Sequence, residues 1–231
     1  MSDSDWQASG QAGGQGGNPP GGAYPAPTGG GGTALQSDST YPVTIALDSP
    51  LEMQNLQPII SYFLAIPHLL LLGLYGIVAF FHAIVLWFAI VLRGEAPESN
   101  RAYIAGFQRY WFRVLVFQYF LTDKYPEFKT VPGYADPGGY PGRIDITPAT
   151  SYTRTQVIFR FLYVIPLYLY GIYVGIFVWI GLLVGLISVL TGGKWNPQWR
   201  RTVFNAITWI TRVGAWYLLL VDEYPGFTFQ S

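Results

Sequence analysis

The sequence has no cysteine among its 231 residues, and only 11% of the residues are charged. The absence of cysteine excludes disulfide bonds, thiolate metal sites and cysteine nucleophiles. Charged residues make up about 25% of an average soluble domain, so the low share here argues against an ordinary soluble protein. The 13 basic and 13 acidic residues cancel. A chain without a basic excess has no electrostatic reason to bind nucleic acid, so we expect no nucleic-acid partner.

Two long stretches contain no charged residue at all. The first lies between Glu52 and Arg93, and the second lies between Arg160 and Lys194. A helix needs about 20 apolar residues to cross the hydrocarbon core of a bilayer. Both stretches exceed that length, so the sequence predicts an integral membrane protein that is mainly α-helical.

The first forty residues have a different composition. They are rich in glycine and proline, and their only charges are Asp3, Asp5 and Asp38. A segment with so few apolar residues buries too little surface to offset its ordering entropy. We therefore expect residues 1–40 to form a disordered tail.

The rest of the chain is a tandem repeat with a constant offset of 99 residues. Residues 41–128 form the first copy, residues 129–139 a linker, residues 140–227 the second copy and residues 228–231 the C-terminal end. Aligned motifs include Tyr41-Pro42 with Tyr140-Pro141, Ile66-Pro67 with Ile165-Pro166, and Arg113-Val114 with Arg212-Val213. A repeat of this kind predicts two structurally equivalent units.

Each copy opens with a strand-like stretch and continues into a long apolar block and a second helical block. Pro67 and Pro166 interrupt the apolar blocks, where each should kink or break a helix. A block of about 34 residues spans about 51 Å as a helix, too long for one upright crossing and short for two. We expect four crossings in all, with six as the alternative. An even number per copy would place both strand-like stretches on one face, as short extramembrane strands with the repeats parallel.

The order of several short motifs resembles a known family. These motifs are Ala65-Ile66-Pro67-His68, Trp87-Phe88-Ala89-Ile90, Arg113-Val114 and Leu121-Thr122-Asp123-Lys124-Tyr125-Pro126. They are similar to the bacterial membrane family called domain of unknown function 4389, which is abundant in actinobacteria. The second copy departs from the pattern, because Leu167 stands in place of the histidine. The resemblance implies a multi-pass protein of the bacterial plasma membrane and no established activity.

Three arginines in the second helical blocks are candidate site residues. Arg109 and Arg113 are four residues apart and share one helix face, and Arg113 aligns with Arg212. A buried arginine in a membrane needs a partner, and we expect backbone carbonyl groups or the repeated acids Asp123 and Asp222 to supply it, unless the helix lies at the interface with its arginines in water. Alternatively, the three arginines hold the phosphate of a lipid headgroup.

No pattern of a catalytic site, metal site or cofactor site is present in the sequence. We therefore expect neither an enzyme nor a bound cofactor. The favoured function is a membrane accessory or scaffold protein, with membrane lipids, other envelope proteins or a second copy of the chain as partners. The alternative is lipid binding or small-solute transport at the interface between the repeats.

Overall fold

The computed structural model describes residues 34–229, which form five helices and three short strands. The chain is mainly helical, as predicted. In chain order the elements are β1 (Leu35–Gln36), β2 (Val43–Leu47), α1 (Gln57–Arg93), α2 (Glu98–Gln118), β3 (Gly142–Ile146), α3 (Arg154–Ile158), α4 (Arg160–Gly192) and α5 (Pro197–Tyr217). The predicted tail, residues 1–40, lies outside the described residues up to position 33, and β1 falls within its last residues.

Each long apolar block forms one uninterrupted helix. α1 continues through Pro67 over 37 residues, and α4 continues through Pro166 over 33 residues. A proline removes only one backbone donor, and several helical turns on either side hold the helix together, so neither proline breaks it. Both helices end at a glycine in the left-handed region, Gly94 at φ 81° and Gly193 at φ 64°. Within the described residues neither block contains the internal turn that six crossings would require.

α1 and α4 carry large exposed apolar surfaces. Both are long and apolar enough to cross a membrane, yet only 17% of the apolar window of α1 and 28% of that of α4 is buried. Leu70 is 71% exposed and Trp179 is 76% exposed. The core helix of a soluble protein would be mostly buried. Contiguous apolar surface of this extent requires a lipid or protein cover.

The strands of the two copies pair with each other. The sheet has the order β1-β2-β3, and both of its pairings are antiparallel. At the centre of the β2–β3 pair, Ile45 lies opposite Ile144, its own equivalent in the other copy. The pairing therefore has two-fold pseudo-symmetry. The predicted strand-like stretches do meet in one sheet.

The two copies run antiparallel, contrary to the parallel arrangement expected from the sequence. The backbone N–H of Met53, just before α1, donates to Gly193 O at 2.7 Å, just after α4. At the other end of the pair, Trp87 Nε1 in α1 donates to Val157 O at 3.2 Å, near the start of α4. The reason is the segment between α2 and α4, which returns along α2 and starts α4 beside the end of α1.

α2 lies between β3 and α1. Phe112 and Val116 meet the backbone of Gly142 at the start of β3. Tyr103 stacks on His82, and Phe107 contacts Gly76, both of α1. At 100° per residue these two sets of α2 side chains occupy opposite faces of the helix. The fold therefore has three successive layers: the sheet, the pair α2 and α5, and the pair α1 and α4.

Two glycines allow α4 to approach α5 and Trp195 closely. A Cβ atom on Gly181 would lie 2.6 Å from Val203 Cγ2, and one on Gly185 would overlap the ring of Trp195. Trp195 is fixed in turn, because its Nε1 donates to Phe120 O at 2.7 Å. Gly181 and Gly185 therefore permit close packing at this face of α4.

Candidate functional site

Arg109 and Arg113 meet one buried carboxylate, that of Asp136 in the linker. Arg113 Nη2 lies 2.9 Å from Asp136 Oδ1, and Arg109 Nε lies 3.4 Å from Asp136 Oδ2. The exposed fraction of the Asp136 side chain is 2%. Arg109 also donates to the carbonyl oxygens of Val131, Gly133 and Ala135, each at 2.9 Å. These contacts occupy the two guanidinium groups within the protein.

Asp136 also orders the backbone around it. Its carboxylate accepts from the amides of Gly138 at 2.8 Å and Ile144 at 3.2 Å. One carboxylate therefore joins α2, the linker and β3 at a single point. Buried charges of this kind are tolerated only when paired and hydrogen-bonded, and both conditions are met here.

Arg212 has the corresponding role in the second copy, but its partner is Asp38. Arg212 Nη1 lies 3.0 Å from Asp38 Oδ2, and Nη2 donates to Asp38 O at 3.0 Å. The Asp38 side chain is 55% exposed. Burial alone would raise the pKa of Asp38. The hydrogen bonds from Thr40 and Arg212 outweigh this effect and lower the pKa to about 2.

The expected partners Asp123 and Asp222 are not the ones used. Asp123 is exposed and forms no ion pair within residues 34–229. Asp222 pairs with Arg160 at 2.9 Å, at the start of α4. Sequence reasoning missed Asp136 and Asp38 because they precede Tyr140 by four residues and Tyr41 by three. This one-residue difference hides their equivalence in an ungapped alignment.

Each copy holds the opening segment of the other. The guanidinium of Arg113 lies 5.3 Å from the ring centre of Tyr140, and that of Arg212 lies 5.0 Å from the ring centre of Tyr41. The hydroxyl of Tyr140 donates to Lys124 O at 2.9 Å, and that of Tyr41 donates to the equivalent Glu223 O at 2.8 Å. Burial raises the pKa of both tyrosines, so these hydroxyls remain donors at neutral pH.

One cavity lies beside α5, and another lies at the interface between the two copies. A polar cavity of about 540 Å³ lies between α5, residues 36–41 and residues 223–228. An apolar groove of about 740 Å³ is lined by the start of α1, the end of α2 and the middle of α4, with Tyr62, Tyr119 and Trp179 among its walls. Both volumes lie within the range of ligand sites.

The described residues contain no group of three His, Cys, Asp or Glu side chains that could hold a metal ion. His68, one of two histidines, is buried, and its Nδ1 lies 2.6 Å from the hydroxyl of Tyr110. Its ring stacks on Phe128 at a centroid distance of 4.0 Å. These contacts tie the end of the first copy to α1.

Comparison with known proteins identifies the family and gives no activity. No curated protein and no solved structure matches the chain. The family described as "Domain of unknown function (DUF4389)" matches residues 58–129 and again residues 154–229. These two tandem segments cover more than half of the chain and coincide with the helical parts of the two copies. The chain therefore belongs to the DUF4389 family, of which it carries two copies in tandem.

Proposed function

We propose that the chain is a noncatalytic membrane accessory or scaffold protein that lies in one face of the bacterial plasma membrane. In this arrangement α1 and α4 lie parallel to the bilayer surface, with their apolar sides in the lipid. α2, α5 and the sheet form a body outside the hydrocarbon that is available to other envelope proteins. This arrangement replaces the four upright crossings expected from the sequence.

The path of β3 along α2 is the observation that carries the proposal. α1 and α2 pack antiparallel to each other. β3 runs back along α2, because Gly142 lies beside Phe112 and Ala149, just after β3, accepts from Arg101. Upright helices would therefore place the sheet at membrane depth. An open sheet edge in hydrocarbon leaves backbone groups unpaired at several kcal/mol each, so sheets of this kind do not span membranes. Helices lying in the surface plane avoid that cost. They also remove the length mismatch, since α1 is about 55 Å long against a hydrocarbon core of about 30 Å.

Site-specific labelling tests the arrangement, because the chain has no cysteine of its own. Single cysteines are introduced at Ser39, Ser99 and Glu127, all of which are exposed. We expect an impermeant maleimide to label all three from the same side of sealed vesicles. Upright helices in this fold would instead place Glu127, after the end of α2, on the side opposite Ser39 and Ser99, because β2 and β3 run from one end of the helices to the other. Labelling of Glu127 from the side opposite Ser39 and Ser99 would refute the in-plane arrangement.

The scaffold role is tested by purification in native lipid followed by mass spectrometry. We expect envelope proteins to be recovered in stoichiometric amounts, and a preparation without any such partner would contradict the role. Lipid binding at the repeat interface is the second candidate, because the groove of about 740 Å³ is lined by both copies. That candidate predicts a retained lipid that is lost when Gly175, where an added Cβ atom would meet no other atom within 4 Å, is replaced by Trp to fill the groove.

A further inference from the structure

The polar cavity beside α5 has a lining with balanced charge. Asp38, Arg201, Arg212 and Glu223 all line it, so two positive and two negative groups surround about 540 Å³. A lining of this kind does not select a simple anion or a simple cation. It selects a ligand that carries both charges.

Two of these four charges have no partner in the described part of the chain. Arg212 and Asp38 neutralise each other at 3.0 Å. Arg201 and Glu223, in contrast, form no ion pair with each other or with any other described residue. Both are exposed, so they are available to a ligand from solvent or from a lipid surface. Arg201 can therefore bind a negative group of a ligand, and Glu223 can bind a positive group.

A buried polar atom of the cavity wall is also unsatisfied. Thr208 is 6% exposed, and its Oγ1 has no hydrogen-bond partner among residues 34–229. A buried hydroxyl without a partner destabilises the folded protein, because it has lost its hydrogen bonds to water. A ligand with hydrogen-bonding groups would supply the missing partner. The neighbouring Trp209 closes the wall, because its Nε1 donates to Gly226 O at 3.0 Å.

The first copy shows that the shared fold does not require these residues. The positions of Arg201, Thr208 and Glu223 are occupied there by Ala102, Arg109 and Lys124. The corresponding space is filled, because Arg109 donates to three linker carbonyl groups. The amide of Gly133 also donates to Ala102 O at 3.0 Å, closing the linker onto α2. Arg201, Thr208 and Glu223 are therefore particular to the cavity beside α5.

From these observations we infer that the cavity binds a zwitterionic compound that carries a phosphate or carboxylate together with a primary ammonium group. The anionic group meets Arg201, the ammonium group meets Glu223, and a polar atom of the ligand bonds Thr208. The ligand is a free small molecule or the headgroup of a lipid, since both present the same chemistry. The site does not depend on how α1 and α4 lie in the membrane.

The test uses the full-length protein in neutral detergent, with phosphoethanolamine as the zwitterionic probe. Inorganic phosphate and ethanolamine, at equal ionic strength, each present one charge only. We expect phosphoethanolamine to raise the melting temperature saturably through mass action. Each single-charge probe should need a concentration at least about tenfold higher for the same shift. Equal potency of phosphate alone would overturn the assignment.

Matched variants locate the effect. Arg201→Gln and Glu223→Gln should each weaken the response to phosphoethanolamine by about tenfold or more. Arg93→Gln and Glu95→Gln remove an exposed arginine and an exposed glutamate outside the cavity and should leave the response unchanged. An undiminished response in the two cavity variants would refute the site.

Lipid nanodiscs separate the two sources of the ligand. Stabilisation by phosphatidylethanolamine relative to phosphatidylglycerol, lost in Glu223→Gln, would assign the site to a lipid headgroup. Stabilisation by the free compound without a difference between the two lipids would assign it to a soluble zwitterion. If neither the free compound nor the lipid stabilises the wild-type protein, the inference is wrong.

Discussion

Neutralising Asp136 should destabilise the protein far more than neutralising Asp38, although both pair with the equivalent arginines. Asp136→Asn leaves Arg109 and Arg113 without a carboxylate while their side chains are 3% and 10% exposed. Removing one partner of a buried ion pair typically costs about 3–5 kcal/mol. Because Arg109 keeps its three carbonyl acceptors, we expect a loss of about 3 kcal/mol in the free energy of unfolding.

The matched substitution in the second copy is Asp38→Asn. The Asp38 side chain is 55% exposed, so water screens its attraction to Arg212. Exposed pairs contribute about 0–1 kcal/mol. The assay is reversible chemical unfolding of wild type and both variants in one detergent. A difference between the two variants of less than about 0.5 kcal/mol would refute the assignment of Asp136 as the buried junction of α2, linker and sheet.

Two further predictions concern packing and pH. Gly185→Ala should lower the melting temperature, because its Cβ would overlap the fixed ring of Trp195. At Gly175 an added Cβ atom would meet no other atom within 4 Å, so Gly175→Ala should raise the melting temperature through helix propensity worth about 1 kcal/mol. A change of the same sign in both variants would contradict the packing described. The Asp38 carboxylate has a pKa of about 2 when folded, below the ordinary value of about 4. Its contribution is therefore present above about pH 4 and lost as the pH falls towards 2, and melts across this range should show a smaller acid-induced loss in Asp38→Asn than in wild type.

The tandem repeat and the two long apolar helices could be predicted from the sequence. The 99-residue offset identified two equivalent units, and the charge-free stretches identified α1 and α4. The strand-like openings were located because proline and β-branched residues favour extended backbone next to Tyr41 and Tyr140. All of these features are local or periodic, which is why they can be read without a structure.

The orientation of the repeats and the partners of the arginines could not be derived in the same way. Both depend on the path of residues 119–141, which lack a helical or strand period and return along α2. The predicted partner Asp123 is closer in sequence to Arg113 than Asp136 is, but it points away into solvent. Proximity along the chain is a poor guide where a linker folds back, because a contact then depends on tertiary packing.

The crossed contacts of Arg113 with Tyr140 and of Arg212 with Tyr41 bear on the origin of the chain. A protein of one repeat would bury neither its own tyrosine nor its own arginine, and a second chain would have to supply both. Two such chains, related by a two-fold axis between their two equivalents of Ile45, would be a complete homodimer. Fusing the two genes converts that dimer into one polypeptide, after which the halves are free to diverge. Arg109 and its equivalent Thr208 are one pair of positions at which the two halves have diverged.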